Sequence, residues 1–449
     1  MPKTPTPTVL FVRGERGFSV PRGERGFSLI ELAVALAVMI AVMFGLLALF
    51  DMNERIGKVQ TRVTEMQQSL RIAQYDVVRL VRMAGRGDLP ANQTGATLPT
   101  GVALSVRDNV PVNAYLIQGD NTSPALVPGT DVITVRGSFT HSIYQVNSLD
   151  PNAYILNDPL HPGDPRPATA IGFDLVLCDP SPTGLPQDLT KFRAMIDEAL
   201  ANPTRAKTEA MSIVSPVDSA FYDVVQLNPS ASSKTAATCP LGAGAGVTLK
   251  MVSDPLSVGG QAEYRKLGPG GAGRADNIAS TVSSVKFVTV IEEYRYYIRA
   301  DRTPNGDVLP VLARARFFPN TDIPYQNDRE NLKIDVAENI VDLQAAFGID
   351  KDGDGQILED ETDLTNDEWL LNTTAEGPIT GKLAYLRVTT LARTGGRDTT
   401  YQAPLITKIE NNDYTVAGSP PPHLPLNTDE ERMYRRRMLQ TVVDLRNLS

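Results

Sequence analysis

The stretch that decides the fold is GFSLIELAVALAVMIAVMFGLLALF, residues 26–50. Residues 27–50 contain one charged side chain, Glu31, one glycine, Gly45, and no proline. An α-helix needs about 20 apolar residues to cross the hydrocarbon core of a membrane. The apolar core of a secretory signal peptide is shorter, at about 7–15 residues. The sequence therefore predicts a single transmembrane helix at residues 27–50.

The residues before this helix predict its orientation. Segment 1–26 has a net charge of +3, from five basic and two acidic side chains: Lys3, Arg13, Arg16, Arg22, Arg25, Glu15 and Glu24. Positively charged flanks stay on the cytoplasmic side of a membrane. The expected protein therefore crosses a membrane once, with a cytoplasmic N-terminus and with residues 51–449 on the other side.

Glu31 is unusual in such a helix, because a carboxylate in a membrane segment costs about 2–3 kcal/mol on insertion scales. It is therefore expected to have a partner or a function. The stretch GFSLIEL, residues 26–32, at the head of an apolar helix resembles the type IV prepilin motif. The resemblance implies that a prepilin peptidase cleaves after Gly26 and methylates the new N-terminus at Phe27. It also implies that Glu31 pairs with the N-terminal amine of a neighbouring subunit during filament assembly.

An octapeptide before this helix occurs twice, as RGERGFSV at residues 13–20 and as RGERGFSL at residues 22–29. The first copy is followed by Pro21, and Arg22 stands where the motif has its glutamate. Gly17 is therefore not expected to be a cleavage site. Residues 1–26 are interpreted as the leader peptide.

Helical periodicity continues beyond the membrane segment. Apolar residues recur at steps of three and four: Ile56, Val59, Val63, Met66, Leu70, Ala73, Val77, Leu80 and Ala84. A narrow apolar seam of this kind is typical of an amphipathic helix. Gly85 and Gly87, followed by Pro90, predict the end of the helix. One long helix is expected at residues 27–84.

After residue 85 the pattern changes to that of β-strands. Six segments are rich in β-branched or aromatic residues: 130–137, 172–178, 221–227, 285–298, 308–318 and 383–393. A short helix is predicted at 187–201, loops are predicted at 230–246 and 268–273, and 340–349 fits either a strand or a helix. The predicted fold is α+β: a long N-terminal helix, then a mainly antiparallel β-rich head at 85–449 with an insertion around 140–280.

Residues 350–361, DKDGDGQILEDE, fit the template of an EF-like calcium loop. The template has oxygen ligands at positions 1, 3, 5, 7 and 12 and glycine at position 6, because Ca²⁺ takes six to eight hard oxygen ligands. The predicted ligands are Asp350, Asp352, Asp354, the carbonyl of Gln356, and Glu361. No clear helix precedes the loop, so a single loop is expected instead of an EF-hand pair. A solvated acidic turn without metal is the alternative.

Cys178 and Cys239 are the two cysteines of the chain. Both are predicted to lie on the exported side, where disulfides form. A bond between them would close a loop of about 60 residues and stabilise the head by a few kcal/mol in the chain-entropy model. Two buried free thiols are the alternative.

The composition argues against two classes of function. Removing the leader's charge of +3 from the total of −9 leaves −12, which disfavours binding of nucleic acid by bulk charge. His141, His161 and His423 are scattered without the spacing of metal ligands. The sequence has no nucleophile elbow and no phosphate-binding loop within a βαβ unit. Neither an enzyme nor a specific nucleic-acid partner is expected.

The C-terminal part of the chain carries a second resemblance. Its blocks are similar, in kind and order, to the end of PilW-type minor pilins: ENIVDLQAAFGIDKDGDG (338–355), Trp369, AYLRVTTLARTGGRD (384–398) and YRRRMLQTVVDLRN (434–447). The arginine run at 435–437 is expected at the solvated start of an edge strand. The resemblance implies a minor pilin that works with other major and minor pilins in a filament at the cell surface.

Three functions fit these observations. The first is a minor pilin of a type IV pilus, incorporated in low copy to prime or cap assembly for biogenesis, adhesion or motility. The others are a J-class pseudopilin of type II secretion and a pilin-anchored adhesin. Without its leader the chain has 423 residues, 449 less 26. A subunit of that size at every helical step would crowd the filament surface, which favours a scarce subunit and argues mildly against a pseudopilin.

Cleavage between Gly26 and Phe27 is the first testable prediction, because only the second octapeptide has the apolar helix and Glu31 behind it. N-terminal mass spectrometry of the membrane-bound or filament-associated protein is expected to show a chain that begins at methylated Phe27. A mature chain that begins at Phe18, or one that keeps its leader, would contradict the prediction.

Overall fold

The structure, a computed structural model, describes most of the helix and the head. The described residues are 28–87, 103–140, 142–149, 173–201, 209–214, 222–252, 257–258, 261–262, 287–302, 306, 308–317, 324, 332–359, 367–370, 382–415 and 425–445. Several predicted features lie outside these ranges: Gly26, Phe27, Glu361, the three histidines and the loop at 268–273.

Helix α1 spans Leu29–Arg82 as one continuous element. The chain divides into two units, Met1–Gln60 and Thr61–Ser449, so the first unit contains the N-terminal half of α1. Large apolar side chains in this half are exposed, from Leu29 to Phe50. By length and composition α1 can cross a membrane.

The end of α1 is two residues earlier than predicted, at Arg82 instead of Ala84. The turn that follows has positive φ at Gly85 and Gly87, 76° and 102°. It docks on the second strand of the head at Gly137, where an added Cβ would lie 3.0 Å from the carbonyl oxygen of Met83. This close approach requires glycine, since a side chain would push the helix end away.

Among its described residues, the second unit contains the strands and a second α-helix. In chain order the elements are β1 (Leu104–Arg107), β2 (Val132–Gly137), β3 (Tyr144–Gln145), β4 (Ser148–Leu149), β5 (Phe173–Cys178), α2 (Thr190–Ala201), β6 (Glu209–Val214), β7 (Tyr222–Ser233), β8 (Gly246–Val252), β9 (Ser257–Val258), β10 (Gln261–Ala262), β11 (Phe287–Val290), β12 (Glu292–Arg302), β13 (Val308–Phe317), β14 (Ile334–Glu338), β15 (Ile340–Asp350), β16 (Trp369–Leu370), β17 (Lys382–Arg393), β18 (Lys408–Ile409), β19 (Asn412–Asp413) and β20 (Arg436–Asp444).

Three larger sheets organise the described strands. Their strand orders are β1-β2-β12-β13-β14, β3-β11-β6-β7-β8-β5-β4 and β16-β15-β17-β20, and two short pairs, β9 with β10 and β18 with β19, lie apart from them. Each strand pair among the described residues is antiparallel. The predicted α+β class, a long helix before an antiparallel β-rich head, is therefore confirmed.

The seven-stranded sheet comes entirely from the chain between β2 and β12, which contains the insertion predicted around 140–280 and continues past it to β11 at Phe287–Val290. It has a core of its own, which includes Phe192 of α2, Leu175, Leu249 and Val288. Strands β2 and β12 nevertheless pair directly, with Gly137 opposite Glu292.

The buried Glu292 carboxylate holds the start of the insertion beside this strand pair. It accepts the backbone N–H groups of Phe139 and Thr140 at 3.0 and 2.7 Å. Arg316 forms an ion pair with the same carboxylate at 3.1 Å. These contacts therefore fix the point at which the chain leaves the five-stranded sheet and enters the insertion.

The main core forms around residues 66–84 of the chain. Met66, Leu70, Val77 and Leu80 of α1 are buried with side chains of both the five-stranded and the four-stranded sheet. Burying one side chain of this size stabilises a fold by about 1.5–3 kcal/mol. The predicted apolar seam is confirmed in this half of α1, whereas Ile56, in the first unit, is 44 % exposed.

Polar side chains of α1 also bond to both sheets. Gln74 is buried, and its Nε2 donates to Thr390 Oγ1 at 2.8 Å and to the Leu439 carbonyl at 3.0 Å. Asp76 accepts the hydroxyl of Tyr296 at 2.8 Å and pairs with Arg314 at 2.9 Å. These directional bonds fix the position of the helix along its own axis. Apolar contacts alone would allow the helix to slide.

Several elements differ from the sequence expectations. Segment 340–349, which fitted either a strand or a helix, is the central strand β15. Strand β7 continues to Ser233, into the predicted loop at 230–246, because it pairs with β8 through an irregular register. Strands β1, β6, β8 and β14 are not among the predicted segments; β1 and β14 are short edge strands, whereas β6 and β8 lie inside the seven-stranded sheet. The predicted segment 285–298 forms two strands, β11 and β12, which belong to different sheets.

Asp131 links the five-stranded and the four-stranded sheet. Its side chain accepts the N–H of Asn109 at 3.0 Å and that of Ala345 in β15 at 2.8 Å, and its own N–H donates to the Leu343 carbonyl at 2.9 Å. Asp108 shares a hydrogen bond with Asp131 and accepts one from Asn411 at 2.7 Å. Two carboxyl groups therefore meet in the joint between the sheets.

Burial raises the pKa of Asp131 well above its usual range, and the nearby Asp108 raises it further. Burial also raises the pKa of Asp108. The folded state therefore keeps a proton that the unfolded chain, with an aspartate pKa near 3.9, releases. The stability from this pair is fully present below about pH 4 and is lost as the pH rises through the folded pKa.

Replacement of Asp108 by asparagine tests this linkage. In Asp108→Asn an amide N–H takes the place of the shared proton, so the loss of stability as the pH rises above the unfolded aspartate pKa of about 3.9 is expected to be smaller than in the wild type. Thermal unfolding followed by the fluorescence of Trp369, the one tryptophan, measures it.

The control is Asp197→Asn, because Asp197 is a largely exposed residue of α2 paired with Lys234. Its pH dependence is expected to equal that of the wild type. If Asp108→Asn also kept the wild-type dependence, the shared proton would not contribute to stability.

Candidate functional site

The first candidate site lies at the start of α1. Glu31 Oε2 accepts the backbone N–H of Ser28 at 3.0 Å, and Ser28 Oγ accepts the N–H of Ile30 at 3.4 Å. A serine before the first helical residue with a glutamate three positions later is a capping box, which satisfies N–H groups that have no partner inside the helix. Glu31 therefore has a partner in its own chain. The sequence alone does not predict this hydrogen bond with Ser28.

The chemistry of Glu31 follows from this position. Glu31 lies in the first turn, where the positive end of the helix dipole stabilises a carboxylate. A cationic amine that approaches the same helix end would compete with the Ser28 N–H for the carboxylate oxygens. The arrangement can therefore exchange an internal hydrogen bond for an ion pair with another chain.

The second candidate site is the acidic loop after β15. Asp350 accepts the N–H of Gly353 at 2.6 Å and that of Gly355 at 3.1 Å, and Asp352 accepts the N–H of Asp354 at 3.0 Å. Gly353 and Gly355 have φ of 82° and 80°, a backbone conformation that glycine adopts without strain. The sequence thus folds into a tight turn with its carboxylates close together.

The structure adds one residue to the predicted ligand set. Carboxylate oxygens of Asp350, Asp352 and Glu368 lie within 4.8 Å of one another. Glu368 is buried and accepts the N–H groups of Lys351 and Leu358 at 2.8 and 2.9 Å, so it fastens both ends of the loop. A carboxylate has enough lone pairs to accept these bonds and also bind a cation.

Glu368 was missed because the loop template ends at position 12, whereas Glu368 lies beyond it and reaches the site only through the fold. Glu361, the predicted bidentate ligand, lies outside the described residues. Asp354 accepts the N–H of Gln356 at 2.7 Å and is exposed. The donor set consists of hard oxygens, which fits Ca²⁺, and its occupation stays a prediction.

The loop is coupled to Trp369 through Arg387 of β17. The Arg387 guanidinium lies 4.5 Å from the centre of the Trp369 ring and pairs with Glu359 at 3.0 Å and with Glu410 at 2.7 Å. These side chains line a cavity of about 320 Å³ that Met438 and Gln440 of β20 also reach. The end of the acidic loop is thus held by the same arginine that covers the tryptophan.

The chain from β15 to β20 therefore contains, in order, the features that the second resemblance describes: a strand, an acidic turn, a tryptophan, and the two long strands β17 and β20. Residues 295–447 match the family of Type IV Pilus-assembly protein W. This match confirms the resemblance to PilW-type proteins for that part of the chain and relates the protein to type IV pilus assembly. The matched family is one of pilus assembly and not of enzymes.

A solved structure, the type IV-like pilin from Thermus thermophilus, is similar at 13 % identity. The alignment covers 59 % of this chain and all of the other, with a TM-score of 0.19. No curated protein matches the sequence.

The segment matched to the PilW family contains the acidic loop, the Trp369–Arg387 pair and the arginine run at 435–437. The sequence predicts that this run is solvated, but in the structure it is only partly so. Arg435 pairs with Asp398 at 2.9 Å and is 34 % exposed at its side chain, and Arg436 is half-buried.

Cys178 and Cys239 lie outside the matched segment, in the seven-stranded sheet region. The structure joins them in a disulfide with a Cα–Cα distance of 5.6 Å. An added Cβ at Gly246 would clash with Cys239 Sγ, so glycine at this position leaves room for the sulfur. The disulfide connects the end of β5 to the turn before β8, within the insertion.

Proposed function

We propose that the protein is a low-copy subunit of a type IV pilus that helps to prime or cap filament assembly. The observation that carries the proposal is the combination of two independent features at opposite ends of the chain. The prepilin-like motif at 26–32 leads into a helix that can cross a membrane. The C-terminal segment 295–447 matches a pilus-assembly family.

The path of the subunit follows from these features. A prepilin peptidase cuts after Gly26, and the subunit waits in the inner membrane through the first half of α1. It then moves into the filament, where other pilins are its partners. The large head supports a scarce subunit, because the head would crowd the filament surface if it were present at each helical step.

Glu31 is the residue proposed to control incorporation. Its carboxylate leaves the Ser28 N–H and pairs with the N-terminal amine of a neighbouring subunit. A buried charge without its partner is strongly destabilising, by about 3–5 kcal/mol. The ion pair therefore favours docking over release into lipid.

Two substitutions separate the ion pair from the helix cap. Glu31→Gln keeps an oxygen for the Ser28 N–H but has no charge, and Glu31→Ala removes both. Both variants are expected to be cleaved normally, and both are expected to be recovered from sheared pili at about one tenth of the wild-type level or less. Immunoblots of the sheared and membrane fractions measure this.

Wild-type recovery of Glu31→Gln would show that the cap alone suffices and would refute the ion pair. Complete absence of the wild-type chain from filaments would refute the proposed function itself. Quantitative mass spectrometry of the same filaments tests the copy number, since the proposal requires far fewer copies of this chain than of the main subunit.

We further propose that the acidic loop binds one Ca²⁺, through Asp350, Asp352, Asp354, the Gln356 carbonyl, and carboxylates from Glu361 and Glu368. The support is the oxygen-rich donor set and the turn built by Gly353 and Gly355. The ion would offset the repulsion between the acidic side chains. It would hold Glu359, and through it the Arg387–Trp369 pair, in place.

Calcium is expected to raise the melting temperature of the purified chain. Extracellular calcium modules bind with dissociation constants of about 10⁻⁴–10⁻³ M. A 100-fold excess over the dissociation constant adds about 2.7 kcal/mol of stability. Asp350→Asn is expected to remove this increase, because position 1 of the loop loses its charge.

The matched control is Asp120→Asn, since Asp120 forms a similar exposed turn by accepting the N–H of Thr122 at 2.9 Å, away from the loop. This control should keep the calcium response. If isothermal titration showed no heat at millimolar Ca²⁺ and melting did not change, the loop would be a solvated acidic turn.

A further inference from the structure

Strand β20 forms one edge of the four-stranded sheet. All nine of its residues pair with β17, from Arg436 opposite Arg393 to Asp444 opposite Tyr385. Among the described residues, β20 has no strand on its other side. A strand in this position presents a row of backbone N–H and C=O groups that can bind a further strand.

The hydrogen bonds at the two ends of β20 show which residues face outward. Thr394 N–H donates to the Arg435 carbonyl at 2.9 Å, and Leu445 N–H donates to the Ala384 carbonyl at 3.0 Å. In an antiparallel pair the bonded residues alternate. The odd-numbered residues therefore bond to β17, and the even-numbered residues from Arg436 to Asp444 direct their backbone groups outward.

This edge lacks three of the features that usually prevent strand addition. Natural edge strands are protected by proline, by a β-bulge, by shortness, or by charged side chains, and the charged residues of β20, Arg436, Arg437 and Asp444, lie only at its two ends. Strand β20 has no proline, and its register with β17 is continuous, whereas the pairs β13–β14 and β15–β17 contain shifts. Two of the residues whose backbone groups face outward have exposed apolar side chains: Met438 is 53 % exposed and Val442 is 48 % exposed.

The charge at one end of β20 indicates the chemistry of the partner. Arg436 donates from Nη2 to the carbonyls of Leu426 and Glu431, and its buried Nε and Nη1 have no hydrogen-bond partner. Among the described residues no carboxylate forms an ion pair with Arg436, although its neighbour Arg435 pairs with Asp398. A carboxylate on an added strand would offset this charge.

We propose that the outer edge of β20 docks an extended strand of a second pilus subunit, which places a carboxylate opposite Arg436 and apolar side chains opposite Met438 and Val442. This inference rests on the proposed function for the identity of the partner. Backbone bonds to the even-numbered residues supply affinity, and the alternating side chains supply specificity. Met438 and Gln440 also line the cavity beside Trp369, so the partner's side chains on that face reach it.

Two synthetic peptides test the proposal on the full-length protein in detergent micelles. The peptide KTVTTTVTE, with blocked ends, puts glutamate opposite Arg436 and valines opposite Met438 and Val442 when it pairs antiparallel. Its matched partner KTVTTTVTK puts lysine opposite Arg436. Fluorescence anisotropy is expected to show tighter binding of the first peptide, by about two- to fivefold, the range for a cross-strand charge pair.

Arg436→Glu is expected to reverse this preference. Both peptides are measured on the same variant, so the ratio does not depend on a small change in its stability. Equal binding of the two peptides to the wild type, no binding of either, or an unchanged preference in Arg436→Glu would each overturn the proposal.

Val442→Pro tests the backbone contribution. The N–H of Val442 points outward, so proline there removes no bond to β17 but blocks an added strand. Binding of KTVTTTVTE is expected to fall by about tenfold or more, with the melting temperature unchanged. Undiminished binding would overturn the proposal.

The peptide results are independent of the filament results. If the chain is absent from filaments but discriminates the peptides as described, the proposed function fails and the edge site stands. If the chain is incorporated but the peptides bind equally, the edge site fails and the proposed function stands.

Discussion

The apolar face of residues 66–84 of the chain is the constraint on which the head depends. Two sheets of the head have no shared strand, and they meet on this face of the helix. A β-sheet with one apolar face must bury it against another element. The helix therefore serves as common core for both sheets, and the polar bonds of Gln74 and Asp76 determine how far along the helix each sheet lies.

This dependence explains the part of the structure that the sequence predicts well. An apolar seam at steps of three and four is a direct consequence of 3.6 residues per turn, so the seam from Met66 to Leu80 was predicted and is buried. Strands such as β13 and β17 were predicted because their β-branched and aromatic residues form runs bounded by turn residues. The α+β class of the fold follows from the helical repeat of the seam together with these strand-forming runs.

The parts that the sequence did not predict depend on contacts between distant residues. Asp131 looks like any aspartate before a strand, yet the fold buries it between two sheets beside Asp108. Glu368 lies outside the loop template and reaches Asp350 and Asp352 only because β16 pairs with β15. Strand β15 fitted either a helix or a strand because both of its faces are buried, which removes the alternating pattern.

The insertion occupies the position of a hairpin loop. Strands β2 and β12 would be joined by a short turn if the chain went directly from Ser138 to Glu292, since Gly137 already lies opposite Glu292. The entropy of closing a loop grows only slowly with its length, and the inserted sheet has a separate core and its own disulfide. Related chains can therefore differ in length by well over a hundred residues at this one junction without any change in the path of the main sheets. A change of length or sequence at this junction therefore leaves the packing of the two main sheets on α1 intact.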